Sequence, residues 1–272
     1  MMQSLVIEAG RGERQYWRDL WRFRELFYFL AWRDFLIRYK QTVVGIAWAV
    51  IRPFLMMLAL TAIGKVSKFS SGGAPYELFF FCGLLPWQFF SAAMSESGNS
   101  LVSNSNLVSK VYFPRLVVPA SSVIVSFLDF LIAAVFLVVL MFYYRFVPPR
   151  QIAFIPLFAL LVFASSLGTG FWIAALTVEY RDFRFVTPFI VQFGFFVSGV
   201  FPLTGHLHGA WRWFYCANPL VGIIDGFRWC ILGGQNLIHP SELVMSLVAT
   251  VLLLASGLWY FRRTERTFAD VI

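Results

Sequence analysis

Long apolar runs separated by short polar stretches make up most of this chain. Six of the runs predict helices across a bilayer, because its hydrocarbon core requires about 20 apolar residues per span. The predicted spans cover roughly 42–64, 77–98, 117–144, 152–176, 185–204 and 241–261. The connections are short, so the pattern predicts one all-α polytopic membrane domain over 1–272, with an N-terminal segment (1–40), a six-span core (42–261) and a tail (262–272).

The N-terminal segment has a different periodicity from the spans. Its Arg14, Arg18, Arg22 and Glu25 follow one face of a predicted helix. Apolar residues follow the other face: Tyr16, Trp17, Leu20, Trp21, Phe27 and Tyr28. An arginine-rich helix with aromatic residues on its other side is typical of a helix lying in the membrane interface. The alternative is an ordinary charged flank that sets the topology.

The stretch between the fifth and sixth predicted spans is too long for a simple loop and too apolar for water. It reads GHLHGAWRWFYCANPLVGIIDGFRWCILGGQNLIHP (205–240). Pro219 disfavours a helical conformation at Asn218, and Gly233 and Gly234 end the second half. We therefore expect two short re-entrant helices before the last span. Irregular backbone at that depth requires cover by protein or a water-filled cavity.

Composition and charge agree with a membrane protein and predict its orientation. The chain is 59% hydrophobic and 13% charged, with a mean hydropathy of +0.72 and a net charge of +8. Fifteen of the 22 lysines and arginines fall in the N-terminal segment, the tail and the loops after the second and fourth spans. Six fall on the other side, and Arg52 lies within the first span. Positive residues concentrate on the cytoplasmic side, so both termini are expected there, and nucleic acid is not an expected partner.

No motif in the chain predicts catalysis or a bound cofactor. The sequence lacks a phosphate-binding G-x-x-x-x-G-K-[ST] loop, an H-E-x-x-H motif and a G-x-S-x-G motif. His206 and His208 alternate on a predicted outward loop and form only a weak metal signal. The three cysteines, Cys82, Cys216 and Cys230, have no metal-like spacing and are expected to pack as apolar residues. A disulfide between Cys216 and Cys230 stays open as an alternative.

Charged residues within or near the spans are the functional candidates, because burying them in a membrane is costly. Arg52 either reaches the cytoplasmic interface or faces a cavity that accepts an anionic head group. Asp129 is expected to have a structural partner such as an arginine or a hydroxyl. Asp225 and Arg228 are three residues apart and are expected to pair.

An ordered series of motifs resembles a known family. They are RYKQTVVGIAWAVIRP (38–53), GLLPWQFF (83–90), KVYFPRLVVPASS (110–122), EYRDFRFV (179–186), ANPLVGIIDGFR (217–228) and RRTERTFADVI (262–272). Over about 25–272 the chain resembles permease subunits of type-2 ABC exporters of polysaccharides, which serve O-antigen, capsule and teichoic-acid export. The resemblance implies a homodimer in the bacterial inner membrane. It also implies two copies of a separate subunit that binds ATP and Mg, and a lipid-linked glycan as cargo.

The resemblance also directs the choice of site residues. Those expected to contact the ATP-binding subunit are Leu107, Val108, Lys110, Val111, Tyr112, Phe113, Pro114, Arg115, Glu179, Arg181, Asp182 and Arg184. Those expected where a substrate head group would enter are Arg33, Arg38, Lys40 and Arg52. Candidates for the conduit and the re-entrant region are Trp48, Phe89, Phe90, Phe195, Phe196, Asn218, Pro219, Asp225 and Arg228.

Two other functions stay open at this point. One is a type-2 ABC permease for a drug, haem or lipid instead of a glycan. The other is a membrane-embedded transferase, which would require acids, bases or histidines to converge at one membrane face. The sequence shows such residues only as scattered single positions.

Overall fold

A computed structural model of the chain describes residues 13–40, 45–67, 71–201, 210–234 and 240–268. Every regular element in these ranges is helical. Five helices are long and apolar enough to cross a membrane. They are α3 (Trp48–Val66), α4 (Tyr76–Ser103), α6 (Val117–Tyr143), α7 (Ile155–Glu179) and α11 (Pro240–Thr264). The shorter helices are α1 (Glu13–Arg22), α2 (Arg24–Lys40), α5 (Ser105–Lys110), α8 (Phe183–Val197), α9 (Ala210–Cys216) and α10 (Pro219–Leu232).

The predicted fifth span is shorter in the structure than the sequence indicated. Helix α8 has 15 residues, or about 22 Å at 1.5 Å per residue, against a hydrocarbon core of about 30 Å. The chain leaves the helix after Val197 and turns at Gly199, whose φ of 97° is unfavourable for residues with a side chain. The structure thus supports five continuous spans, and the prediction of six is not confirmed.

Helix α4 is the centre of the bundle and packs against α3, α6, α7, α8 and α10. Its buried residues include Phe80, Phe81 and Leu84. Helices α7 and α11 also pack closely, and glycines make this possible. A Cβ on Gly168 would lie 2.7 Å from the Leu253 carbonyl, and one on Gly257 would overlap the Gly168 carbonyl. Small residues at such crossings let helix backbones approach each other.

Contacts distant in sequence define two ends of the bundle. At the first end, Tyr16 of α1 and the chain after α11 meet at Glu265, while Tyr260 of α11 bonds Glu179 at the end of α7. At the second end, Lys65 of α3 pairs with Glu77 of α4 at 2.9 Å. The N-terminal helices and the end of α11 therefore lie on the same side.

The predicted N-terminal helix is two helices, separated by a turn at Phe23. Tyr16, Leu20 and Phe27 pack against the buried core at the first end. Trp21 and Tyr28 are 72% and 70% exposed. Some of the aromatic and apolar residues predicted to share one face therefore pack on the core and others are exposed, and the Trp17 side chain lies outside the described residues.

Candidate functional site

A cavity of about 650 Å³ lies among α2, α3, α4 and α6. Trp48 and Arg52 line it from α3, and the aromatic rings of Phe89 and Phe130 line it from α4 and α6. Polar side chains complete the wall: Arg38, Tyr39, Gln88, Ser91, Ser95, Glu96, Ser126 and Asp129. The site thus combines charged groups with aromatic rings inside the membrane-spanning bundle.

Arg38, in the last turn of α2, holds two carboxylates from different helices. Its guanidinium lies 2.8 Å from the Glu96 carboxylate of α4 and 2.5 Å from the Asp129 carboxylate of α6. The neighbouring Tyr39 phenol donates a hydrogen bond to the other oxygen of Asp129. Burial lowers the pKa of Arg38, but the charges of Glu96 and Asp129 outweigh it and raise that pKa. Arg38 is therefore a fixed cation that ties α2 to the bundle.

The pKa of Tyr39 is also shifted by burial and by Asp129. Burial, followed by the hydrogen bond to Asp129, raises the pKa of the Tyr39 phenol above its ordinary value. The phenol, which is protonated at neutral pH, acts as a donor to Asp129. The prediction that Asp129 has a structural partner is confirmed by Arg38 and Tyr39.

Arg52 differs from Arg38 because it has an aromatic partner in place of an acidic one. Its guanidinium lies over the Trp48 ring, 5.8 Å from the centroid. Among the described residues, no carboxylate is within ion-pair distance of Arg52. The following residue, Pro53, has no backbone N–H and leaves the Ala49 carbonyl without its helical donor. In the described part of the chain, Arg52 therefore presents to the cavity a cation that contacts no carboxylate.

Of the four predicted head-group residues, the structure brings Arg38 and Arg52 together in this cavity. Arg33 lines a second cavity of about 540 Å³, nearer the first end, and bonds Asp34 and Asn104 at 2.7 Å each. Lys40 is exposed at the end of α2 and lines neither cavity. Arg38 and Glu96 line both cavities and so stand between them.

The predicted conduit residues separate into two groups. Trp48 and Phe89 line the first cavity. Phe90 and Phe195 pack on Trp87 instead, and Phe196 stacks on Phe201. These last three line neither of the two cavities.

Asp225 and Arg228 form a buried pair beside the turn that follows α8. The predicted pair is confirmed, at 3.3 Å, but Arg228 has no exposed surface. Its guanidinium donates to the Gly199 carbonyl at 2.7 Å and to the Val200 carbonyl at 2.5 Å, in the turn that follows α8. It also lies over the Phe79 ring, 4.4 Å from the centroid. Arg228 supplies the hydrogen-bond donors that the unwound backbone lacks, and its assignment to the conduit or the re-entrant region stays a prediction.

Asn218 and Pro219 likewise have a local structural role. Pro219 is the first residue of α10, where a missing N–H has no cost. The Asn218 side chain accepts from the Leu220 N–H at 3.0 Å and donates to the Val197 carbonyl at 3.1 Å. Helices α9 and α10 exist as predicted, but their re-entrant position in a membrane stays a prediction.

The residues predicted to contact an ATP-binding subunit are partly buried in this chain. Val108, Phe113 and Pro114 lie in the protein's own core, so they are not on a free surface. Helix α5 ends at Lys110, and the chain from Val111 to Pro114 is not helical. The exposed members at the first end are Lys110, Val111, Tyr112, Glu179, Arg181, Asp182 and Arg184, with Leu107 half-buried.

Arg115 joins this region to the end of the chain. Its backbone N–H donates to the Glu265 carboxylate at 2.7 Å, and its guanidinium donates to the Glu265 carbonyl at 2.5 Å. Glu265 also accepts from the Tyr16 phenol at 2.9 Å. Burial, followed by the charge of Glu265, raises the pKa of the Tyr16 phenol and keeps it a donor. This junction was not predicted, because no spacing in the sequence links residues 16, 115 and 265.

Only some of the polar candidates for a metal site are among the described residues, and the histidines are not. The described residues contain no group of three histidines, cysteines, aspartates or glutamates that could hold a metal ion. His206, His208 and His239 lie outside the described residues. All three cysteines are free and buried, as expected for packing residues, and none forms a disulfide.

Comparison with known proteins gives one family match and several relatives. The family model described as ABC-2 type transporter matches residues 25–232. An "O-antigen export system permease protein RfbA" of Myxococcus xanthus is 26% identical over 94% of this chain and 98% of its own length. Two proteins of the same name from Klebsiella pneumoniae are 25% and 24% identical, each over 88% of this chain and 92% of its own length.

Proposed function

The chain belongs to the ABC-2 type transporter family, and we propose that it is the permease subunit that exports a lipid-linked polysaccharide of the O-antigen kind. The observation that carries the proposal is the cavity in which Arg38 and Arg52 face Trp48 and Phe89. Guanidinium groups suit the phosphate of a lipid carrier, because they form charge-assisted hydrogen bonds to its oxygens. The names of the relatives agree with this cargo.

The exposed residues of the first end support the docking of a separate ATP-binding subunit, which would supply the energy for transport. Two copies of this permease would form the conduit, with an ATP-binding subunit on each copy, and ATP and Mg would bind there. Lys110, Tyr112 and Arg181 are exposed at the first end and would face that subunit. With this end cytoplasmic, both termini lie in the cytoplasm and the glycan leaves through the bacterial inner membrane.

The proposal is tested by complementation. The chain would be expressed, together with the ATP-binding subunit of an O-antigen exporter, in a bacterium that lacks its own O-antigen export permease, and surface O-antigen would be measured. The proposal predicts restored surface glycan and loss of the lipid-linked glycan that accumulates inside. Export of a drug or haem by these cells, while surface glycan stays absent, would overturn the glycan assignment and leave the family assignment intact.

A further inference from the structure

Resting on that proposed function, we infer that Glu96 is an internal stand-in for the substrate's phosphate: it holds Arg38 until an anionic head group displaces it. Arg38 is bonded to Glu96 and Asp129 at once. To bind the Arg38 guanidinium, a phosphate must take the position of one of these two carboxylates. The two carboxylates differ in ways that decide which one leaves.

Asp129 is the anchored partner of Arg38. Its carboxylate is 2.5 Å from the guanidinium, its side chain is 23% exposed, and its second oxygen accepts the Tyr39 hydrogen bond. Displacing it would break two charge-assisted contacts and separate the end of α2 from α6. Asp129 therefore stays in place when a ligand binds.

Glu96 is held less firmly. Its carboxylate is 2.8 Å from Arg38, and its side chain is 53% exposed. Within the described part of the chain, Arg38 is its one recorded partner. Solvent weakens an ion pair at this exposure, because water competes for both charges. An incoming phosphate would therefore displace Glu96 in preference to Asp129.

The second cavity provides a place for the displaced carboxylate. Glu96 lines it together with Asn99, Ser103 and Asn104, whose amides and hydroxyls can donate hydrogen bonds. The glutamate can thus move from one cavity to the next without being buried unpaired. The Arg38–Glu96 pair forms part of the wall between the two cavities.

The charge balance of the first cavity makes the exchange selective. The cavity is lined by two arginines and two carboxylates and is formally neutral. When Glu96 moves away, the remaining groups carry a net positive charge that a phosphate or diphosphate compensates. A lipid with a neutral head group offers nothing to replace Glu96 at Arg38, so the glutamate rejects it. Such rejection of a wrong ligand gives specificity without new attractive contacts.

The inference is tested with Glu96→Gln and Asp129→Asn. Each variant replaces one carboxylate that contacts Arg38 with a neutral amide of similar shape. Binding of farnesyl diphosphate to the purified permease in nanodiscs would be measured, with farnesol as the neutral probe. Because a partly exposed ion pair no longer competes, Glu96→Gln is expected to tighten diphosphate binding about fivefold. Asp129→Asn is expected to weaken it, because Arg38 loses its anchor. Farnesol should bind Glu96→Gln at least as well as the wild type.

Controls separate this inference from the proposed function. Glu77→Gln removes a carboxylate from the Lys65 pair at the other end and should leave binding unchanged. If Glu96→Gln does not fold, as judged by size exclusion and thermal melting, Glu96→Ser gives the same comparison. Equal or weaker diphosphate binding by the Glu96 variant overturns the inference. If Arg52→Gln still weakens binding in that case, the cavity remains the head-group site, and complementation of O-antigen export tests the cargo independently.

Discussion

The phenol of Tyr16 donates a hydrogen bond to the carboxylate of Glu265, 249 positions later in the chain, at 2.9 Å. The same carboxylate accepts the backbone N–H of Arg115. One acidic side chain therefore joins the N-terminal helix, the loop before α6 and the end of α11. In the proposed exporter, this junction would make the surface that faces the ATP-binding subunit move as one unit.

We predict that Tyr16→Phe and Glu265→Gln each destabilise the chain and that their effects are not additive. Loss of one hydrogen bond with a partly buried carboxylate costs about 1 to 3 kcal/mol. Thermal melting of the two single variants and the double variant in the same detergent would measure this coupling. Tyr28→Phe is the matched control, because the Tyr28 side chain is 70% exposed. Additive effects would contradict a shared junction.

The buried Arg228 should be far more sensitive than an exposed arginine. We expect Arg228→Met to destabilise the fold by about 3 to 5 kcal/mol, because Asp225 is then buried without its partner. The Gly199 and Val200 carbonyls also lose their donor. Gly83→Ala tests the same contact from the other side, since a Cβ there would lie 2.6 Å from the Arg228 guanidinium.

Unfolding in denaturant and limited proteolysis after α8 would measure the effect of Arg228→Met and of Gly83→Ala. The matched control is Arg145→Met, because Arg145 is exposed at the second end. A native-like stability for Arg228→Met would show that the guanidinium does not hold the turn after α8.

Phe113 and Tyr112 are neighbours with opposite environments, and their substitution should have different effects. Phe113 is 5% exposed, so Phe113→Ala should cost about 3 to 5 kcal/mol of stability. Tyr112 is 59% exposed, so Tyr112→Ala should leave the melting temperature unchanged and weaken association with the ATP-binding subunit. Co-purification and melting curves would distinguish the two. Unchanged association for Tyr112→Ala together with Lys110→Ala would contradict the proposed contact surface.

Close packing of α7 and α11 gives a prediction that is independent of function. Gly257→Ala should destabilise the bundle, because the new methyl group would overlap the Gly168 carbonyl. Ala255→Val, on the exposed side of the same helix, is the control. Equal melting temperatures for both variants would mean that the two helices can move apart without cost.

Hydropathy and motif order predicted the helical class, five of the spans and the family, because span length and loop charge are local properties of a sequence. The spacing of Asp225 and Arg228 also predicted their pair. What spacing could not show is that Arg228 reaches the carbonyls after α8, since this contact depends on where the chain unwinds. The end of α8 was placed too late for the same reason: its apolar residues continue beyond the helix.

The candidate cavity was predicted only in part. Arg52 was selected because a cation within a span is costly and needs a reason, and Arg38 as one of the cations that the family resemblance pointed to. Their neighbours Tyr39 and Glu96 were not assigned to it. Adjacent residues on a helix point about 100° apart, so nothing in the sequence indicates that Arg38 and Tyr39 reach the same carboxylate.

The most direct test of the account is ATP-driven transfer of lipid-linked O-antigen in proteoliposomes that contain the permease and its ATP-binding subunit. We predict transfer by the wild type and about tenfold slower transfer by Arg52→Gln with assembly intact, since one charge-assisted contact to phosphate is lost. Arg263→Gln, which removes a guanidinium over the Trp259 ring, should transfer normally. Wild-type rates for Arg52→Gln, or no transfer of the glycan by the wild type, would contradict the account.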